Sequence, residues 1–139
     1  MLARRPLTVA EVGDLDRAFL AAVKASGPVA YLHVSESTAP PPAETRNAVI
    51  QRLNRHIESG ACLAAALVVN REGFAGAALR ALFTAVLAAA RPAAPMKIFG
   101  RVEDAAAWLP TVLASRGVVP APAALVAAVA ELRLAASKD

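Results

Sequence analysis

The stretch 61–90 constrains the fold more than any other. An apolar run at 63–69 is broken by Asn70-Arg71-Glu72-Gly73, and a second apolar run follows at 74–90 with Arg80 as its only charge. The first run is short, closes on the adjacent β-branched Val68 and Val69, and lacks polar alternation, which predicts a strand covered on both faces, like the central strand of a parallel sheet. The second predicts a helix: Phe74, Ala78, Leu82, Val86 and Ala90 recur every four residues. Ala77, Leu79, Phe83 and Leu87 widen that stripe past an ordinary amphipathic face. One side can pack on the sheet. The other needs cover too, because soluble monomers rarely expose a contiguous apolar patch larger than a few hundred Å². Phe74, Leu79, Leu82, Phe83 and Val86 are therefore candidate interface residues, and a second copy of the chain is the simplest cover.

The rest of the chain supplies alternating partners for this centre. A scrap of strand is expected at 2–4, before Thr8-Val-Ala-Glu11, whose capping-box spacing predicts a helix start. Val12, Leu15, Phe19 and Val23 give that helix one apolar stripe, and Ser26-Gly27-Pro28 ends it. Residues 29–34 predict an internal strand, followed by the proline-stiffened loop 35–43. A water-facing helix over 42–58 then carries Val49, Ile50, Leu53 and Ile57 on a narrow line against Arg46, Asn47, Gln51, Arg52, Asn54 and Arg55, with Gly60 as its left-handed cap. After the central pair come a short strand at 96–100 and a helix at 102–109. Glu103 and Asp104 suit that helix's N-terminal dipole, Trp108 and Leu109 dock on the sheet, and Pro110 ends or kinks it. The chain stays helical to Arg116-Gly117, and a final helix at 123–136 places Leu125, Val129 and Leu132 on one side. Strands alternating with helices predict a small, mostly parallel sheet of three to four strands, joined by right-handed crossovers and packed against helices. Residues 1–117 form the α/β domain, and 118–139 form a linker and an extra C-terminal helix packed on it.

Composition narrows the function. At 139 residues the chain fits one domain with a real core. Its net charge of +4 comes from basic and acidic residues spread without a block of like charge, so no nucleic-acid partner is expected. Cys62 is the single cysteine and sits among apolar neighbours, as a buried thiol in a reducing compartment would. Arg4-Arg5 runs straight into Pro6 and then acidic sequence, which is no secretory signal, and 74–90 is too alanine-rich and too charged at Arg80 for a membrane span. A cytoplasmic location is expected. The seven glycines stand apart, without a phosphate-cradling spacing, and Cys62 lacks a metal-ligand mate. No cofactor or metal is expected. His33 is expected as a core or sheet-end histidine, and His56, beside Arg52 and Arg55, as a solvated one.

One concentration of polar groups remains. Ser35, Glu36, Ser37 and Thr38, with Glu44, Thr45 and Arg46 just beyond, sit at the carboxyl end of a predicted strand, the edge where open α/β sheets bind ligands and partners. They are the candidate partner-binding residues, beside the plainer possibility of a loop whose Ser and Thr cap backbone amides. Phosphate on Ser37 or Thr38 would lie near a helix N-terminus that stabilises negative charge.

Pro6-Leu7-Thr8, the strand 29–34 entering a Ser/Thr loop, and Met96-Lys-Ile-Phe99 followed by Val102-Glu-Asp-Ala-Ala-Ala-Trp-Leu109 resemble the STAS family and its SpoIIAA-like relatives, the anti-sigma-factor antagonist type. The resemblance spans roughly residues 2–113. It departs from the family in an abbreviated amino terminus and in lacking the Asp-Ser-Ser/Thr-Gly motif of the phosphorylated serine. It implies a non-catalytic regulatory or scaffolding module that binds another protein, with a homodimer through the surplus apolar face. The alternative is a carrier of an apolar small molecule or lipid in an alanine-lined pocket. An enzyme built on His33 and the loop 35–38 lacks a second catalytic partner.

Overall fold

The computed structural model describes residues 1–37, 39–90, 92–117 and 119–137, the side chains of Val86, Ala89 and Ala90 excepted. Four parallel strands lie in sequence order: β1 (Leu2–Ala3), β2 (Val29–Ser35), β3 (Cys62–Val69) and β4 (Met96–Phe99). Between them run α1 (Val9–Ser26), α2 (Ala43–Glu58) and α3 (Gly73–Ala90), and after them α4 (Val102–Leu113), a 3-10 turn (Ala114–Arg116) and α5 (Pro122–Ala135). The scrap of strand expected near the start is real: Leu2 pairs with Val34 and completes the edge of the sheet. No helix among the described residues is long and apolar enough to cross a membrane.

The strand period of two sorts the core into two faces. Val34, Ala64, Ala66, Val68 and Phe99 turn to one face and pack with Val102, Ala105, Leu109 and Leu113 of α4 and Val129 of α5. Alanines at the crossing let α4 approach β3 without a gap. Cys62 and Ala65 turn to the other face, against Phe19 of α1 and Leu53 and Ile57 of α2. A register shift opposite Val29 and Ala30 inserts one extra residue into β3. It lets Leu63 and Ala64 both join the first core while Cys62 and Ala65 join the second. The result is helices on both faces of a parallel sheet, which is why the 63–69 run carries no polar alternation.

The helix boundaries follow their local chemistry. Thr8 Oγ1 accepts from the Glu11 amide at 3.3 Å and the Thr8 amide donates to Glu11 Oε2 at 2.8 Å, the reciprocal cap that its spacing predicts. The Thr8 amide, then the Arg5 guanidinium, hold the Glu11 carboxyl down at about 2. A depressed carboxylate stabilises the fold above its ordinary value of 4.5 and ceases to as pH falls through about 2. Glu11→Ala is therefore expected to lower the thermal midpoint at neutral pH, with the two melting curves converging as the buffer nears that lower value. Gly60, at φ +73°, follows α2 in the left-handed region that favours glycine. Pro110 does not end α4, which runs through it to Leu113, and the Thr111 hydroxyl donates to the Trp108 carbonyl at 2.7 Å across the weakened turn.

α5 departs from its expected packing. Val129 is buried, but Leu132 is 44% exposed. Arg133 takes the inward place instead, with Nε 2.7 Å from Glu36 Oε1. Arg4 donates to the carbonyls of Ala136 and Arg133 at 2.8 and 3.0 Å. Polar ties at the end of α5 thus decide which of its apolar residues turn inward.

Candidate functional site

α3 is seated by polar contacts at the carboxyl end of β3. Arg80, the lone charge of its apolar run, sends Nη1 to the carbonyls of Val69 at 3.3 Å and Arg71 at 2.8 Å. Gly76 lies so near the Arg71 carbonyl that a Cβ there would stand 2.1 Å from its oxygen. These two contacts choose the face that α3 turns inward, and it is not the four-step stripe beginning at Phe74. Phe74 is 91% exposed and Leu82 54%, whereas Leu79, Phe83 and Leu87 are half-buried. The Val86 side chain lies outside the described residues.

An open cavity of about 450 Å³ separates α3 from α2, a volume typical of small-molecule sites. Tyr31, His33, Ala65, Leu67, Met96 and Ile98 contribute to its lining from the strands. Val49, Ile50 and Leu53 do so from α2, and Leu79, Leu82, Phe83 and Leu87 from α3. Ala65 presents only a methyl group to this lining from the central strand. The polar part of the lining includes Ser35, Ser37, Thr45 and Arg46, at the carboxyl edge of the sheet where parallel α/β domains place their ligands.

The candidate loop residues divide between this cavity and the scaffold. Ser35 and Ser37 line the cavity. Ser37 is buried, its hydroxyl donating to the Ala39 carbonyl at 2.8 Å and accepting from the Ala39 amide at 3.3 Å, so it shapes the loop. Glu36 is held by Arg133 and lies 4.0 Å from Arg4. Glu44 is exposed in the first turn of α2, and Thr38 lies outside the described residues. Arg46 lines the cavity half-buried, steadied by one hydrogen bond from Nη1 to the Pro41 carbonyl at 3.1 Å.

Three polar residues are placed otherwise than expected. His56 is buried, stacked on Phe19 at 4.3 Å, with Nε2 2.7 Å from Asp16 Oδ1. The expectation of a solvated His56 fails because α1 packs on that flank of α2 and brings a carboxylate to meet the ring. Arg46 and Arg52 likewise leave the water-facing side, both half-buried. Arg52 borders a second, smaller cavity of about 60 Å³ with Asp16, Tyr31, His33 and His56, and its buried Nη1 finds no acceptor among the described residues. Spacing along α2 could have found His56, since it precedes Ile57 on the apolar line, but nothing in the sequence pairs it with Asp16, forty positions away.

The titratable groups under the cavity are tuned by burial. Burial pushes the Tyr31 hydroxyl up to about 12 and His33 down to about 4, the Met1 amine adding to the His33 shift. Tyr31 Oη lies 3.5 Å from His33 Nδ1. Cys62 is buried, its thiol raised by desolvation, which makes it a poor nucleophile. Among the described residues no three of His, Cys, Asp or Glu gather as a metal site would need. What the arrangement does offer is an apolar chamber, a neutral imidazole and phenol within it, and a cationic, hydroxyl-bearing part at the strand ends. No family model matches the chain, and neither a curated protein nor a solved structure does.

Proposed function

We propose that the chain is a non-catalytic binding domain whose ligand is an apolar small molecule held between α2 and α3. The observation that carries the proposal is the open cavity of about 450 Å³, bordered by apolar side chains of the sheet and of both helices. A protein surface made only for docking would leave its apolar residues on one convex helix face. Here Leu79, Phe83 and Leu87 face inward across a gap from Val49 and Leu53. The gap is closed at its floor by the sheet, and apolar burial of this kind is what binds an uncharged hydrocarbon.

Neutral 1-decanol is the test ligand, with uptake followed by native mass spectrometry and titration calorimetry. Leu79→Trp fills the cavity from its half-exposed wall and is expected to abolish uptake while leaving the thermal midpoint within a few degrees. Undiminished uptake by the tryptophan variant removes the cavity from the proposal.

A second assignment, a regulatory or scaffolding interaction module of the STAS type, is favoured by Phe74, which is 91% exposed and does not line the cavity. If α3 docks on another protein or a second copy, Phe74→Ser lowers the mass measured by light scattering and leaves decanol uptake unchanged.

A further inference from the structure

We propose that the ligand is an amphipathic anion, a single-chain aliphatic carboxylate whose head group sits against Arg46 and Thr45 at the start of α2 while its tail lies between α2 and α3. This assignment rests on the cavity being the ligand site, and it adds the chemistry of the head.

The charges around the cavity are of one sign. Arg5, Arg46 and Lys97 line it, and no Asp or Glu does among the described residues. Two of these cations are already engaged: Arg5 reaches Glu11 at 2.6 Å, and Lys97 sits 5.4 Å over the Phe99 ring. Arg46 differs. Its Nη1 donates to the Pro41 carbonyl, and no carboxylate among the described residues pairs with it. A half-buried guanidinium facing an apolar chamber with donors to spare is matched by a planar carboxylate.

A second, independent observation lies beside it. Thr45 is only 3% exposed and lines the cavity, yet its hydroxyl has no hydrogen-bond partner among the described residues. This hydroxyl is not sealed off, since Arg52 Nη1 is the one fully enclosed side-chain polar atom without a partner among the described residues, so it opens onto the cavity. A ligand oxygen would satisfy this one. The two residues also share the first turn of α2, where Pro42 stands at the N-cap and gives no side-chain hydrogen bond. No side chain caps the leading amides of the helix, and the macrodipole there favours negative charge. Arg46 and the Thr45 hydroxyl supply the donors at the cavity wall.

Chain length and head separate in one set of titrations, with decanoate, 1-decanol and acetate against the full chain. Decanoate is expected to bind at least tenfold more tightly than decanol, and acetate at least a hundredfold more weakly than decanoate. Arg46→Gln is expected to weaken decanoate at least tenfold and decanol far less, with an unshifted thermal midpoint showing that the variant is folded. Thr45→Val gives a smaller loss of the same sign. Equal affinity of the wild-type protein for decanoate and decanol, or an equal loss of both in Arg46→Gln, overturns the carboxylate assignment while the cavity keeps its role. If neither long-chain probe binds, the cavity is not a ligand site, and the head-group assignment falls with it.

Discussion

Replacing His33 with leucine is expected to make the fold markedly less sensitive to acid, by roughly 3 kcal/mol between about pH 7 and about pH 4. Burial depresses the imidazole from its ordinary 6.5 to about 4, with the Met1 amine adding to the effect. A base with a depressed value is neutral in the folded chain while the unfolded chain still takes up its proton. Between about 6.5 and about 4 the unfolded state therefore binds more protons, and stability falls as pH falls through that window. Below it both states are protonated and the penalty levels off. The groups nearest the ring do not relieve it: Tyr31 offers a hydroxyl at 3.5 Å, and Asp16 is taken by His56 at 2.7 Å. Denaturant titrations of the wild type and His33→Leu at the two ends of the window measure the difference directly. Glu11 does not confound them, since its own loss, between 4.5 and about 2, is common to both proteins. Parallel losses in both proteins would mean that His33 is reached by water in the folded chain.

The acid-sensitive histidine and the cavity above it show what a one-dimensional reading reaches. Element type and order were legible because each run carries its own signal: the Thr8 and Glu11 cap, the valine pair closing β3, the proline-bounded turns. The two-faced core followed from 63–69 having no polar position to give to solvent. Rotation of the helices was harder. The sequence offers α3 apolar residues on nearly every side, so hydrophobicity cannot choose among them. Gly76 and Arg80 choose instead, through contacts with carbonyls near the end of β3 that no periodicity encodes. The same limit hid His56, whose acceptor comes from another helix. Of the proposed loop site, Arg46, Ser35 and Ser37 meet at the cavity, while Glu36 turns away because Arg133 outcompetes solvent for it. The cavity itself was invisible as a shape. Its ingredients, small Ala65 in the centre and long apolar side chains on the helices, were all in view.

Gly76 gives the sharpest test of how α3 is held. Within a helix, glycine to alanine ordinarily gains up to about 1 kcal/mol, because the unfolded chain loses freedom and the helical one does not. At Gly13, in α1, the nearest atom to an added methyl is Arg52 Nη1 at 3.7 Å, an ordinary contact with a flexible side chain. Gly13→Ala is expected to show that gain in full. At Gly76 the same methyl meets the Arg71 carbonyl oxygen at 2.1 Å and its carbon at 2.8 Å, both backbone atoms that cannot swing aside. The first turn of α3 must then move away from the loop that leads into it, straining the Arg80 hydrogen bonds to the Val69 and Arg71 carbonyls. Overpacking of this kind costs about 1–3 kcal/mol, so the two substitutions should move the denaturation midpoint in opposite directions. Displacing α3 also moves Leu79 and Phe83 away from Val49 and Leu53, so Gly76→Ala should lose decanol uptake even under conditions where it is fully folded. A stabilised Gly76→Ala protein with intact uptake would show that α3 rests on its apolar side chains alone, and that the close approach of its first turn to the Arg71 carbonyl does nothing to hold the cavity open.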